Sequence, residues 1–388
     1  MQAAQTSLLQ FLGGPKQFVI PVYQRSYSWT EQQLDKLWKD VLAAGADSRK
    51  KSHFLGSVVY IEDTINFVTD QSNLVIDGQQ RLTTMLLLIE AIARKVGNDG
   101  PTVDISDDRL RAYYLLNMHD SGDRRYKMRL SKTDDASLRS VLDRAPVPGK
   151  SSKRVEANFG WFMDRVSQER ENIAMLWRGI KKLSIIQVKL ERLIDDPQAI
   201  FESMNSTGLD LSQADLIRNF VLMGLEPTEQ TTLYDRYWHA MEEEFGQHNV
   251  WRFDRFVRHF LSIRSGKLER EDDIYEGFKT YASREGCPTV EALCADLLSF
   301  ARCYCRFVLD REDDPELADA FRDLQQLGGE VSHGFLLALY RDYNDGILSR
   351  SELLSAVRLV ETFLFRRAVT WSRVGPGSLT PSRSQIRT

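Results

Sequence analysis

Cysteine is scarce in this sequence: four residues in 388, Cys287, Cys294, Cys303 and Cys305, all within one helical-looking stretch. They lack paired C-x-x-C spacing and a neighbouring histidine, which speaks against a zinc site and leaves reduced thiols, so redox chemistry is not indicated. Long apolar runs are missing too. Stretches such as Met85 to Ala93 fall far short of the roughly 20 residues a membrane span requires, and no basic segment precedes an apolar one at the N-terminus. A cytoplasmic chain without a membrane partner is the expectation. Nor is there an excess of positive charge: the net charge of −4 argues against a protein that coats nucleic acid indiscriminately, so any DNA contact must come from a local basic patch.

What is present is 42% apolar and 10% aromatic content, enough for two ordinary cores. Phe18 to Pro21, Gly56 to Ile61, Leu74 to Ile76 and Ile185 to Leu190 read as strands. Between the first two, Leu34, Leu37, Trp38, Val41 and Leu42 recur at helical spacing after Thr30, with Gln33 placed to complete a capping box. Tyr126 to Leu130 alternates like a strand whose Lys127 and Arg129 form a wet, basic face. A polar linker with Pro146, Pro148 and Gly149 leads to a helix around Trp161 to Trp177. Pro197 to Met204 and Ser212 to Met223 read as two more helices, the second capped by Ser212 with Asp215 three residues on. From Thr228 to about Val369 only helical periodicity appears, as in Phe253, Phe256, Val257 and Phe260. The expectation is an α+β domain over residues 1–225, an all-α domain over 226–371, and a linker or frayed tail over 372–388.

The segment Leu74 to Thr84, LVIDGQQRLTT, joins a strand to an apolar helix whose face is marked by Leu82, Met85, Leu86 and Ile89. A helix N-terminus offers unpaired N–H groups and partial positive charge. Gly78 lets the backbone approach an anion, and Arg81 can grip phosphate oxygens bidentately. Gln79 and Gln80 can orient a water or a nucleotide, and Asp77 can hold a divalent ion. By spacing alone, a plain capped turn remains the stronger reading.

Four blocks in order, FVIPVYQRSYSW (Phe18 to Trp29), HFLGSVVY (His53 to Tyr60), VIDGQQRLTTMLLL (Val75 to Leu88) and IFESMNSTGLDLSQADLIRNF (Ile200 to Phe220), resemble the N-terminal domain of the GmrSD-type modification-dependent restriction family over roughly residues 8–222. The first block is most similar to effectors of the SspE type, which sense phosphorothioate-modified DNA in anti-phage defence. The resemblance implies a ParB/sulfiredoxin-like fold with a small sheet and helices. It implies that Asp77, Gly78, Gln79, Gln80 and Arg81 bind and hydrolyse a nucleoside triphosphate, GTP or ATP, with Mg²⁺ on Asp77. It brings in Asn205 and Gly208 as further nucleotide contacts, with turn stabilisation an equal alternative for Asn205 and helix capping the stronger one for Asp215. Asn219 belongs to the same block. The family usually adds a nuclease domain with a His-Asn-His metal site, but His53, His119, His239, His248, His259 and His333 form no such arrangement, which suggests a truncated chain.

The resemblance also makes Pro21, Tyr23, Gln24, Arg25, Tyr27 and Trp29 a reader of modified DNA. Arg25 would hold the charge, and aromatic surface would favour the weakly hydrated sulfur. By periodicity, those rings instead cover the first helix. Arg124, Arg125, Lys127, Arg129 and Lys132, and separately Arg252, Arg255 and Arg258, are candidate backbone contacts, although charge runs are more often solvated faces. His53 reads as packing. Coupling between the two blocks is expected to run through the intervening helix with Trp38. Alternatives are a non-hydrolysing nucleotide-dependent switch, and a ParB-like domain that nicks DNA, for which no carboxylate cluster is evident. A homodimer is possible.

Overall fold

Six short runs of β-forming residues in the first 190 positions assemble into one mixed sheet. A computed structural model of the chain describes residues 1–63, 71–100, 105–147, 149–168, 173–191, 194–205, 211–246, 250–284 and 289–371. The strands are β1 (Gln2–Ser7), β2 (Lys16–Val19), β3 (His53–Asp63), β4 (Gln71–Asp77), β5 (Met128–Arg129) and β6 (Leu183–Leu190), in the spatial order β1-β6-β3-β4-β2-β5. β2 runs parallel to β4 and β5, β3 parallel to β6, and the β3–β4 and β1–β6 pairs are antiparallel. The chain divides into two compact units, Met1–Leu209 and Asp210–Thr388. The helix Gln213–Leu222 therefore groups with the second unit, and the boundary expected near residue 225 falls at its far end.

Differences from the expected elements have simple causes. β1 carries the polar sequence QAAQTS on the sheet edge, mostly exposed, so it has no apolar alternation to betray it. The one helix expected around Trp161 to Trp177 is two, Lys153–Gln168 and Ile173–Lys181; the polar residues 169–172 lie outside the described ones. After the short α1 (Leu8–Leu12), Thr30 opens α2 (Glu31–Ala46) as anticipated, its N–H donating to Gln33 Oε1 at 2.8 Å. Helix α2 meets the Ile173–Lys181 helix backbone to backbone. A Cβ on Gly45 would strike the Met175 carbonyl, and one on Gly179 the Val41 carbonyl, so both positions admit only hydrogen.

The core of the first unit forms around α3 (Gln79–Asp99). Its expected single apolar face is in fact nearly a full circumference: Leu82 to Ala93 is buried without interruption. Glu90 lies inside this helix with no exposure. Its carboxylate accepts from Arg94 Nε and Arg144 Nε at 3.0 Å and from Arg111 Nη1 at 2.7 Å, while Arg144 also grips Asp107. A buried carboxylate is tolerated only when so paired.

The described part of the second unit is helical. Phe245, Phe253, Phe256, Phe260, Tyr304 and Phe307 stack into its centre, with His259 and His333 set among them at 5.9 Å between rings. Burial pushes both imidazoles down to about 4. In the same unit Asp254 accepts from Ala214 N at 2.7 Å, and burial raises it to about 6.

Two outcomes follow from these buried charges. Glu90→Ala should lower unfolding stability by about 3 kcal/mol, near the low end for breaking a buried pair because the three guanidinium groups reach water; urea unfolding checks it. The two histidines are held neutral in the folded state. They contribute stability that is complete above their ordinary value near 6.5 and is lost as pH falls toward 4, whereas Asp254 works in the opposite sense over part of that range. Two groups outweigh one, so thermal unfolding should occur at lower temperature at pH 5 than at pH 7, and His333→Phe should shrink that difference.

Candidate nucleotide and DNA site

Because β2 and β4 are parallel neighbours, the segments leaving their C-terminal ends emerge side by side. One is the Ile20 to Thr30 loop; the other is the turn into α3. Gly78 caps α3 with φ +96°, and a Cβ there would lie 3.0 Å from the Ser57 carbonyl oxygen and from Val58 Cγ2. Glycine is thus demanded twice, by the left-handed backbone and by the crossing over β3. As a cap it has no side chain to accept from the first-turn N–H groups, and the positive end of the helix dipole lies there.

Arg81 lies across β3. Its Nη1 donates to the Ser57 carbonyl at 2.5 Å and sits 4.0 Å from Asp77 Oδ2, with both side chains about a quarter exposed. Gly56, at φ +133°, makes room, since a Cβ there would stand 2.9 Å from the guanidinium carbon. The two bulges of β3, at Phe54/Gly56 and at Val59/Tyr60, flank this crossing.

Gln79 and Gln80 reach not toward β3 but into the loop. Gln79 Nε2 donates to Arg25 O at 3.0 Å and to Gln24 Oε1 at 3.3 Å, while Gln24 Nε2 donates to Ile76 O at 2.9 Å. Gln80 Oε1 accepts from Ser28 N at 2.8 Å, and its Nε2 donates to Ser26 O at 3.2 Å. All three amides are buried. One turn further, Thr84 Oγ1 is 2.7 Å from the Tyr27 hydroxyl, which also accepts from Asn158 Nδ2 at 3.0 Å. Burial pushes Tyr27 up to about 12, so it stays a neutral phenol, and Asp134 accepts the Tyr27 N–H at 2.6 Å.

The loop's rings therefore turn inward. Pro21, Tyr23 and Tyr27 are buried, and the aromatic surface expected from Tyr23 and Tyr27 is spent on the core; Val22, Arg25 and Trp29 are half-buried, and Ser26 and Ser28 are exposed. The Trp29 indole N–H is buried with no acceptor among the described residues.

Elsewhere six of the expected cations are engaged by their own chain, and the Lys132 side chain lies outside the described ones. The Tyr126–Leu130 face is not wet: Lys127 is 2% exposed, its ammonium donates to the Gly14 carbonyl, and burial followed by Lys16 pulls it down to about 8. Arg129 pairs with Asp123 at 2.6 Å and Asp135 at 2.9 Å, and Arg125 with Asp143 at 3.3 Å. In the second unit Arg252 donates to Val308 O, Arg255 pairs with Glu330, and Arg258 donates to Glu269 O. Ser212 caps its helix as expected, accepting from Asp215 N at 3.1 Å. The Asp215 carboxylate, however, joins buried Arg218 at 2.6 Å rather than closing a capping box. Asn219 is buried with its Oδ1 unpartnered among the described residues. His53 bridges Lys50 Nζ at 2.9 Å and Asp40 at 3.7 Å. Asn205 ends the helix Pro197–Asn205, and Gly208 lies outside the described residues. Among the described residues no trio of His, Cys, Asp or Glu converges as a ready-made metal site, and no helix is long and apolar enough to cross a membrane.

Sequence reasoning missed Asn158, Thr84, Asp134 and the Ser57 carbonyl. Thr84 had a usable signal, one turn after Gln80 on the same helix face; the others are placed by tertiary packing alone.

Gly78 and Gly328 both hold left-handed backbone (φ +96°, ψ +2° and φ +73°, ψ +36°), but nothing lies within 4 Å of a Cβ on Gly328. Replacing either with alanine should cost about 1–3 kcal/mol of backbone strain. Gly78→Ala should cost measurably more in urea unfolding, the excess reporting its crowding against β3.

The family model for the GmrSD restriction endonuclease N-terminal domain matches residues 8–222, which contain the glycine-capped turn, the loop clamped to it and the sheet that aligns them. No curated protein matches the chain. A match over more than half of the sequence places this chain in the GmrSD restriction endonuclease family.

Proposed function

We propose that the chain is the nucleotide-hydrolysing and DNA-sensing part of a restriction effector, built on a ParB/sulfiredoxin-like first domain. A nucleoside triphosphate, GTP or ATP, is hydrolysed at the Asp77–Arg81 turn in response to phosphorothioate DNA at the Pro21 to Trp29 loop. The observation that carries this reading is the direct seating of that loop on a glycine-capped helix start that has Asp77 and Arg81 beside it. Family membership supports DNA as the partner.

In this reading the first-turn N–H groups and the Arg81 guanidinium receive phosphate oxygens, with Arg81 exchanging its Ser57 carbonyl for a charged acceptor. Asp77 fits a Mg²⁺ ion of the kind that keeps several waters and binds through one carboxylate plus substrate phosphates. The ion would neutralise charge between those phosphates. On the loop, Arg25 supplies charge to the modified phosphate, while Val22 and Trp29 give an apolar edge that favours a weakly hydrated sulfur over oxygen. Desolvation differences of about 1–3 kcal/mol per polar group suffice for that preference.

A second reading, a nucleotide-dependent binding switch without hydrolysis, draws on one feature: the Gln80 amide oxygen holds Ser28 N–H and is not directed at an attacking water. Phosphate release from GTP and ATP separates the two. Wild type and Arg81→Ala are each mixed with matched duplexes that carry or lack a phosphorothioate. Turnover raised at least tenfold by the modified duplex alone, and abolished in the variant, is expected. Equal turnover with both duplexes sinks the sensing claim, and tight nucleotide binding without phosphate release selects the switch.

A further inference from the structure

We infer that Gln79 and Gln80 are positioning residues that join the DNA-facing loop to the anion-facing helix start, so that whatever shifts one shifts the other. This rests on the functional reading above and goes beyond it by naming the connection. Each glutamine is less than a tenth exposed, and between them their amides hold the backbone at Arg25, Ser26 and Ser28. Gln24 closes the ring from the loop side onto Ile76 O, at the end of the strand that leads into the turn. Because the loop contacts are mostly to main-chain atoms, they report the loop's position whatever its side chains bind. The expected relay through α2 is longer: Trp38 is buried against Trp161 at 6.1 Å and belongs to the general core. Two sites that bias one shared element meet the physical condition for coupling.

The test uses the double variant Gln79→Met, Gln80→Met, which keeps side-chain length and removes the amides, and Gln80→Glu, which keeps an acceptor for Ser28 N–H and removes the donor to Ser26. Two readouts are taken on the full chain. Amide exchange of Ser28 should quicken at least tenfold in the double variant and less in Gln80→Glu, while Tyr27, held by Asp134, stays protected. Binding of a non-hydrolysable GTP analogue is measured with and without phosphorothioate duplex, and duplex binding with and without the analogue. Wild type should show a coupling factor of about 5–150, equal in both directions. In the double variant the factor should fall to about 1.

Retained coupling, or unchanged Ser28 exchange, overturns the inference. So does loss of analogue binding in a variant that melts like wild type, because the glutamines would then touch the nucleotide. Wild type that binds both ligands without coupling overturns the inference and leaves the functional reading standing. Wild type that binds no nucleotide overturns both.

Discussion

A side-chain amide removed from water must find partners, and three of them meet at the junction between sheet and helix. Helix α3 is buried around most of its circumference, so Gln79 and Gln80 cannot turn to solvent without dragging the core open. The acceptors and donors in reach belong to the Arg25–Ser28 backbone and the Gln24 side chain. Leaving such an amide unsatisfied costs about 1–3 kcal/mol, which fixes an otherwise irregular loop as firmly as a strand would. The parallel pairing of β2 with β4 supplies the rest, because it delivers the loop and the helix start to the same end of the sheet.

The same accounting explains the cations. Several arginines are met by acidic partners: Arg125 and Arg129 by Asp143, Asp123 and Asp135, while buried Glu90 gathers Arg94, Arg111 and Arg144. Lys127 shows how far this goes, since its ammonium is withdrawn onto a backbone carbonyl while burial, followed by Lys16, lowers its proton affinity. Positive charge counted along a strand is therefore a poor measure of positive charge presented to a ligand. Arg81 differs: its acceptors are one neutral carbonyl and a carboxylate at the 4.0 Å limit, and an incoming phosphate would compete well against both.

Much of this was legible in the residues. The β3, β4 and β6 cores, the Thr30 and Ser212 caps, the Asp-Gly turn into a long apolar helix and the helical second half all follow from local period and capping chemistry. What was not legible depends on partners distant in sequence. β1 is polar because its side chains stay exposed and its stability comes from the β6 ladder. The period of Tyr23 and Tyr27 points to packing against the first helix but not to Thr84, Asn158 and Asp134, which from three other elements draw the Tyr27 end of the loop inward. Gln79 and Gln80 stand at a helix N-terminus, where an amide can orient a water or a nucleotide, and nothing local tells that their partners are the backbone at Arg25, Ser26 and Ser28.

The strength of the glutamine connection also limits what motion it can transmit. Five hydrogen bonds join Gln24, Gln79 and Gln80 across the junction, and at a net value of about 1 kcal/mol each their complete rupture would need about 5 kcal/mol. That is close to the roughly 5.5 kcal/mol of differential affinity needed to carry an equilibrium from 1:99 to 99:1. If, as proposed, the loop reads a phosphorothioate, a single sulfur-for-oxygen exchange, worth about 1–3 kcal/mol in desolvation, cannot release the whole loop. It can displace one pair of bonds. The Gln80 pair is the natural candidate, since its partners Ser26 and Ser28 are the exposed residues of the loop, whereas the Gln79–Gln24 pair is tied back to β4 through Ile76. Any signal passing between loop and helix must then be a small pivot about Gln79, with Gln80 as the moving contact.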